Sequence, residues 1–260
     1  MIKEKTSAIT ALQGFGEVII VFVAFFVWIK YLETTWVGPF QDKLVGWDFF
    51  AHLMMVVFPG VALLISRRPF SDLGITRDNW RNPEVRKITR IAVAELTVIW
   101  VFGLLLPHLL HGQRPHLLLP SNYFAENLGL PIRLTKYIGW GLTVVFTTIF
   151  CGLGEEIFFR GYFQGRINRA VGRQFRVFGV QFGWGLIFAS LIFGFGHLIA
   201  FFNPLIDKSL ILHPNWGEFA ITFVEGFVFG LLYEHTGGVV APAILHGFIG
   251  LFFGAMIFPN

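Results

Sequence analysis

Two adjacent glutamates, Glu155 and Glu156, with Arg160 four residues on, lie in a run from Gly139 to Phe163 that is otherwise apolar enough to occupy a bilayer. A charged side chain near the bilayer centre costs roughly 3 kcal/mol or more, so such residues face a bundle interior or a water-filled cavity and mark a functional site by default. On a helix Glu156 and Arg160 share a face, while Glu155 is turned about 100° away from Glu156. The arginine can therefore neutralise one glutamate and leave the other free to take a proton. Two histidines join them: His197 in Phe193-Gly194-Phe195-Gly196-His197 and His246 in Pro242-Ala243-Ile244-Leu245-His246-Gly247. A desolvated carboxylate can act as general base on water, one histidine can orient that water, and another can donate to the oxyanion of a tetrahedral intermediate. This is the chemistry of hydrolysis. The chain has no Gly-x-Ser-x-Gly elbow and no His-Glu-x-x-His helix, which argues against a covalent serine route and leaves a metal route only a less usual ligand set.

The elements that must position these residues are membrane spans. Of the 260 residues 55% are hydrophobic and 14% charged, and the mean hydropathy is +0.65, too apolar for a soluble domain of this size. Crossing takes roughly 20 predominantly apolar residues. Seven runs qualify: Ala11 to Leu32, Trp47 to Ile65, Ile91 to Leu110, Thr143 to Phe163, Leu186 to Ile206, Trp216 to Glu234 and Val239 to Pro259. The expected fold is all-α, a polytopic membrane helix bundle of about seven to eight transmembrane helices. Residues 1–260 read as one integral-membrane domain with its motifs in 143–259, leaving no room for a separate soluble domain.

The amino-terminal run follows Lys3 and Lys5 and reaches Lys30 without a small-residue cleavage site, so it reads as a retained first span. With the amino terminus inside, thirteen basic residues collect on one side, among them Arg67 to Arg90 and Arg166 to Arg176, against six on the other. The positive-inside rule then predicts a multi-pass protein of the cell (inner) membrane with a cytoplasmic amino terminus. Contact with the lipid bilayer accounts for the basic stretches, and no nucleic-acid partner is needed. Cys151 is the only cysteine, which excludes a disulfide framework and a cysteine metal cluster.

The connection from Arg67 to Arg90, with Pro69, Gly74 and Pro83, reads as a loop carrying short helical pieces. The stretch from Arg166 to Arg176 reads as an interfacial helix. Leu110 to Lys136 is punctuated by Gly112, Pro115, Pro120, Gly129 and Pro131 as an outer loop. His108, His111 and His116 at its start are read as a hydrated interfacial group rather than a metal site, having no carboxylate or cysteine nearby. Glu17, His52 and Glu95 read as interfacial or interhelical contacts. Glu225, midway along the sixth run where helical spacing could point it at the same cavity as His246, reads as a structural hydrogen bond or a partner for Arg160 at least as readily as a direct participant. All four are left outside the catalytic set. The glycines flanking the site, Gly152, Gly154, Gly194, Gly196, Gly247 and Gly250, suit close helix approach. Tryptophans such as Trp36 and Trp216 fall near span ends, as an aromatic belt does.

The span boundaries decide whether the histidines reach the glutamates. Leu186 to Ile206 puts His197 near mid-membrane. Spans from Ile138 to Phe158 and from Val177 to Leu198 would instead send Glu155 and His197 towards opposite faces, on the order of 20 Å apart in depth. The later boundaries are preferred because Leu186 to Ile206 is the more uniformly apolar run.

Three motifs carry a family resemblance: Glu155-Glu156 with Arg160, Phe193 with His197, and His246 preceded by Leu231-Leu232-Tyr233-Glu234-His235-Thr236-Gly237-Gly238-Val239-Val240-Ala241-Pro242. In order, spacing and membrane setting the chain resembles the CAAX prenyl endopeptidase and bacteriocin-processing family, intramembrane glutamate proteases that include the type II CAAX proteases. The resemblance implies a membrane-embedded endopeptidase in which Glu155 activates water and His197 helps to hold it. By the same resemblance Glu156 and Arg160 shape the site or contact substrate backbone, and His246 faces the oxyanion. It implies a peptide, prenylated or membrane-anchored protein substrate and no cofactor, although two histidines and a glutamate can also hold zinc. The family often has Asn four residues after the last histidine, where this chain has Gly250 and so lacks a side-chain donor.

Two other functions fit the same residues. A non-catalytic membrane binding or immunity protein could keep the scaffold, with Gly250 as its hint. A proton-coupled transporter could use Glu155 and His197 as a relay, although the first half of the chain shows no broken segment matching the charged motif.

Overall fold

The computed structural model describes residues 8–39, 49–76, 78, 81–101, 129, 131, 145–198 and 216–256. His108, His111, His116, the end of the third expected span and residues 199–215 lie outside the described residues. The described chain forms seven helices and one short hairpin.

Helix α1 (Ala8–Val27) runs without a break into wider, π-helical turns over Trp28–Val37, Val27 keeping right-handed helical torsions. Glu33 in that extension accepts hydrogen bonds from Trp28 Nε1 (3.0 Å) and from the backbone N–H of Ala51 (2.9 Å). The second bond satisfies an amide in the first turn of α2 (Phe49–Ile65), which has no partner within its own helix. Helix α3 (Pro83–Trp100) opens on Asn82, whose side chain accepts from the Glu84 N–H, with Pro83 at the first helical position. It therefore starts earlier than the expected third span, and Arg86, Lys87 and Arg90 stand on the helix rather than before it. The 3₁₀ turn Phe70–Leu73 is one of the short helical pieces expected in the preceding connection.

Helix α4 is the longest carrier of polar groups. It is π-helical over Phe146–Glu155 and Ile157–Gln164 and α-helical over Gly165–Val171, and the joining residues Glu156 and Gln164 keep helical torsions. The Arg166 to Arg176 stretch is thus not one interfacial helix. It ends at Gly172, whose φ of 83° with ψ of −178° is a backbone conformation open to glycine and incompatible with a continuing helix. Strands β1 (Phe175–Val177) and β2 (Val180–Phe182) follow as an antiparallel hairpin, pairing Phe175 with Phe182 and Val177 with Val180. Phe178 and Gly179 both have positive φ, as a two-residue hairpin turn of matching twist requires. The alternation Phe-Arg-Val-Phe-Gly-Val-Gln-Phe is a strand signal that outweighs the basic periodicity. This hairpin is a small departure from an all-α fold.

Helices α5 (Trp184–Leu198), α6 (Trp216–Thr236) and α7 (Val240–Met256) complete the described bundle. The first part of α4 packs on α2 and α7, its middle on α5 and its last turns on α1, which makes it the central element. A polar ladder joins α4 to α6. Arg160 Nη2 donates to the Gly226 carbonyl (3.2 Å), Gln164 Nε2 to the Gly230 carbonyl (3.0 Å), and Asn168 Nδ2 to Glu234 (2.7 Å). Each rung advances four residues on both helices, so α4 and α6 run parallel, one helix turn per rung.

The distribution of side chains is consistent with a helical membrane protein. Arg160 is 0% exposed and Glu156, Gln164 and Asn168 are buried, while Leu12, Ile20, Trp36, Ile221 and Val224 face outward. In water this arrangement would strand apolar surface and desolvate charge at once; in lipid the outward face needs no burial. Among the described residues, Thr10–Val37 and Trp216–Thr236 are long and apolar enough to cross a bilayer, and Phe49–Ile65, Trp184–His197 and Val240–Gly250 are shorter apolar helices. At one end Glu17 holds Arg68, Tyr162 (2.7 Å) and Arg166 (2.8 Å), an interhelical contact of the kind expected for it.

Candidate active site

The site is assembled around α4 by two close helix approaches. A Cβ on Gly152 would lie 2.8 Å from the Ala243 carbonyl oxygen and 3.0 Å from Gly247, and one on Gly154 would lie 3.2 Å from the His52 carbonyl oxygen. These two glycines let α7 and α2 approach the backbone of α4 immediately before the glutamates. The one brings His246 within reach and the other brings His52.

Glu155 and Glu156 have different surroundings. Glu156 is fully buried; its Oε1 lies 2.9 Å from Arg160 Nη1 and 2.8 Å from His246 Nδ1. Arg160 is held in turn by the Gly226 carbonyl and by aromatic faces, its guanidinium carbon 4.6 Å from the Phe193 ring centre and 5.3 Å from that of Phe229. Such faces attract a cation electrostatically and suit a charge without water. Glu155 is 9% exposed, with Oε1 3.0 Å from His52 Nε2 and Oε2 3.9 Å from His246 Nε2.

His246 spans the two carboxylates. A carboxylate accepts, so Nδ1 donates to Glu156, and the other ring nitrogen faces Glu155. Its ring stacks on Phe229 at 5.1 Å and meets the edge of Phe193 at 5.8 Å. His197 sits at the end of the described part of α5, where Nδ1 donates to the Phe193 carbonyl (2.9 Å) and leaves Nε2 as the acceptor of a neutral ring. Its ring packs on Phe193 at 4.8 Å. Phe193 therefore touches His197, His246 and Arg160, and the separation to opposite faces that the earlier boundaries imply is not found.

Glu155, His246, Glu156 and Arg160 thus form one chain of contacts in that order, with His197 one aromatic ring away. Glu225 on α6 lies within electrostatic reach of Arg160, His197 and His246 without joining the contact set. Glu95 lies on α3. Sequence reasoning missed His52, read as an interhelical contact, although it is one and also the hydrogen-bond partner of Glu155. It also missed Gln164 and Asn168, which the four-residue spacing from Glu156 through Arg160 could have revealed. Gly250 stands beside Thr147, where an added Cβ would lie at 3.7 Å, an ordinary contact.

An outward apolar surface enclosing paired charges is the arrangement expected of a helical membrane protein with an interior site. Residues 138–252, the segment that carries the site, match the family model described as Rce1-like, type II CAAX prenyl endopeptidase Rce1-like. This bears out the family resemblance of its motifs. No curated protein and no solved structure matches the chain.

Proposed function

We propose that this protein is an intramembrane endopeptidase that hydrolyses a peptide bond of a membrane-associated protein or peptide, prenylated or not, with water activated by Glu155. The observation that carries the reading is the unequal treatment of two neighbouring carboxylates. Glu156 is committed to Arg160 and His246, whereas Glu155 keeps Oε2 facing His246 Nε2 across 3.9 Å, a distance that a single water can bridge. Glu155 takes a proton from that water as its oxygen attacks the scissile carbonyl, and returns the proton to the leaving amine as the tetrahedral intermediate collapses. The Nε2 acceptor of His197 helps to orient the water. His246, when it carries both ring protons, donates from Nε2 to the developing oxyanion.

Glu156 acts as a positioning residue by fixing the His246 ring, and Arg160 keeps Glu156 charged and in place. The family description supports hydrolysis of a peptide bond. The test compares the amino- and carboxyl-terminal peptides of tagged membrane and secreted proteins in cells carrying wild type or Glu155→Gln at matched expression. Fragments lost only in the variant support the reading and identify the substrate. Identical profiles, with the wild-type phenotype retained, would sink it in favour of a binding or immunity role.

A further inference from the structure

The water-activating carboxylate proposed above has a second set of neighbours that hydrolysis does not use. His52 Nε2 lies 3.0 Å from Glu155 Oε1 and 3.5 Å from Cys151 Sγ, and the ligand atoms of His52, Cys151 and Glu155 all fall within 4.8 Å of one another. A tetrahedral zinc ion with bonds of about 2.0 Å to nitrogen and 2.3 Å to sulfur holds its ligand atoms about 3.3 to 3.6 Å apart. Two of the three edges are close to that size before any adjustment. The donors combine thiolate, imidazole and carboxylate, a set that selects zinc or another soft d10 cation over magnesium or calcium.

The three residues are held by the backbone rather than by chance approach of long side chains. Cys151 and Glu155 are four apart on α4, and His52 comes from α2 at the point where Gly154 lets the two backbones meet. The His52 and Glu155 side chains are 10% and 11% exposed, and Cys151 is half-buried, so the cluster is neither sealed nor open to bulk solvent.

We infer that His52, Cys151 and Glu155 form a binding site for a soft divalent cation such as zinc, and that loading it withdraws Glu155 from water activation. Binding displaces the thiol proton of Cys151 and the proton shared by His52 and Glu155 to solvent, and the cation takes their place. The binding site stands independently of the proposed hydrolysis; only its consequence for turnover rests on that reading.

The experiment uses the full chain purified in detergent. Cadmium titration should give one equivalent per chain with a thiolate-to-metal absorption band, absent in Cys151→Ser. Because Cys151 is the only cysteine, its alkylation by a maleimide reads the site in the wild-type protein without any substitution. Zinc should slow that alkylation by about tenfold or more, and His52→Gln should remove most of the protection, a loss at least as large as that of a typical metal-supporting contact. Alkylation unaffected by zinc, or protected equally in His52→Gln, overturns the site. A cadmium band with undiminished substrate cleavage supports the site and counts against Glu155 as the base. Glu155-dependent cleavage with no band and no protection overturns the site and leaves the hydrolytic reading standing.

Discussion

Adjacent carboxylates can be told apart by substitution because their partners differ. Glu155→Gln is nearly isosteric and leaves the Glu156–Arg160 pair untouched, so the protein should fold as wild type and lose about 100- to 10,000-fold in cleavage rate, the usual worth of a general base. Glu156→Gln leaves Arg160 as a buried charge without its counter-ion, which typically costs about 3–5 kcal/mol. It should be read first in thermal stability and yield in detergent, with activity falling as a consequence. His52→Ala removes the hydrogen bond to Glu155 Oε1, and a bond to a charged group is worth about 1.5–3 kcal/mol, or about 10- to 100-fold in rate. A cleavage rate unchanged by His52→Ala would show that this contact does not position the base. Gly250→Asn adds a donor one turn after His246 where the added Cβ has room, and an oxyanion donor is worth about 100- to 1000-fold. Faster turnover of the same substrate is the expected outcome; slower turnover would mean that the side chain faces away from the oxyanion.

At the scale of elements, the site depends on how closely α2 and α7 approach α4. A methyl at residue 152 would stand 2.8 Å from a backbone oxygen of α7, which cannot move aside as a side chain can. Gly152→Ala should therefore destabilise the protein by about 1–3 kcal/mol and shift His246 away from both glutamates, lowering activity more than stability alone explains. Measuring both on the same preparation checks this, and an active, unshifted variant would show that α7 adapts without cost. The polar ladder from Arg160 through Gln164 to Asn168 fixes α6 in register with α4, so Phe229 meets Arg160 where it faces Glu156, while Phe193 reaches the same guanidinium from α5. Here stability and function share residues: the same contacts that set helix register also keep the arginine out of water.

For the whole molecule, the contacts at one end give a topology that can be tested without a substrate. The Val239 N–H donates to the Gly74 carbonyl, and Arg68, Tyr162 and Arg166 converge on Glu17. The 66–76 connection, the end of α4 with its hairpin, and the turn between α6 and α7 therefore share one side. Single cysteines at Ser71, Phe178 and His235, all exposed, in a Cys151→Ser background should react with an impermeant maleimide from the same face of membrane vesicles. Labelling of any one of them from the opposite face would overturn this arrangement. The positive-inside rule predicts that the reactive face is the cytoplasmic one.

The apolar composition and the charges set within apolar runs were enough to read a helical membrane protein and to single out Glu155, Glu156, Arg160, His197 and His246, because lipid penalises an unneeded charge severely and each one carries information. The family resemblance could be read from the same residues, and the family model matches the segment that holds them. What the linear pattern could not show was which groups meet. His52 lies more than a hundred residues before Glu155 and looked like an ordinary polar residue near a span end; only the crossing of α2 over Gly154 makes it a partner. The different partners of the two glutamates, the bridging position of His246 and the ladder to α6 likewise arise from helix crossings. Periodicity specifies which face of a helix is polar, but contact across helices depends on backbone separation and register, which packing in three dimensions decides.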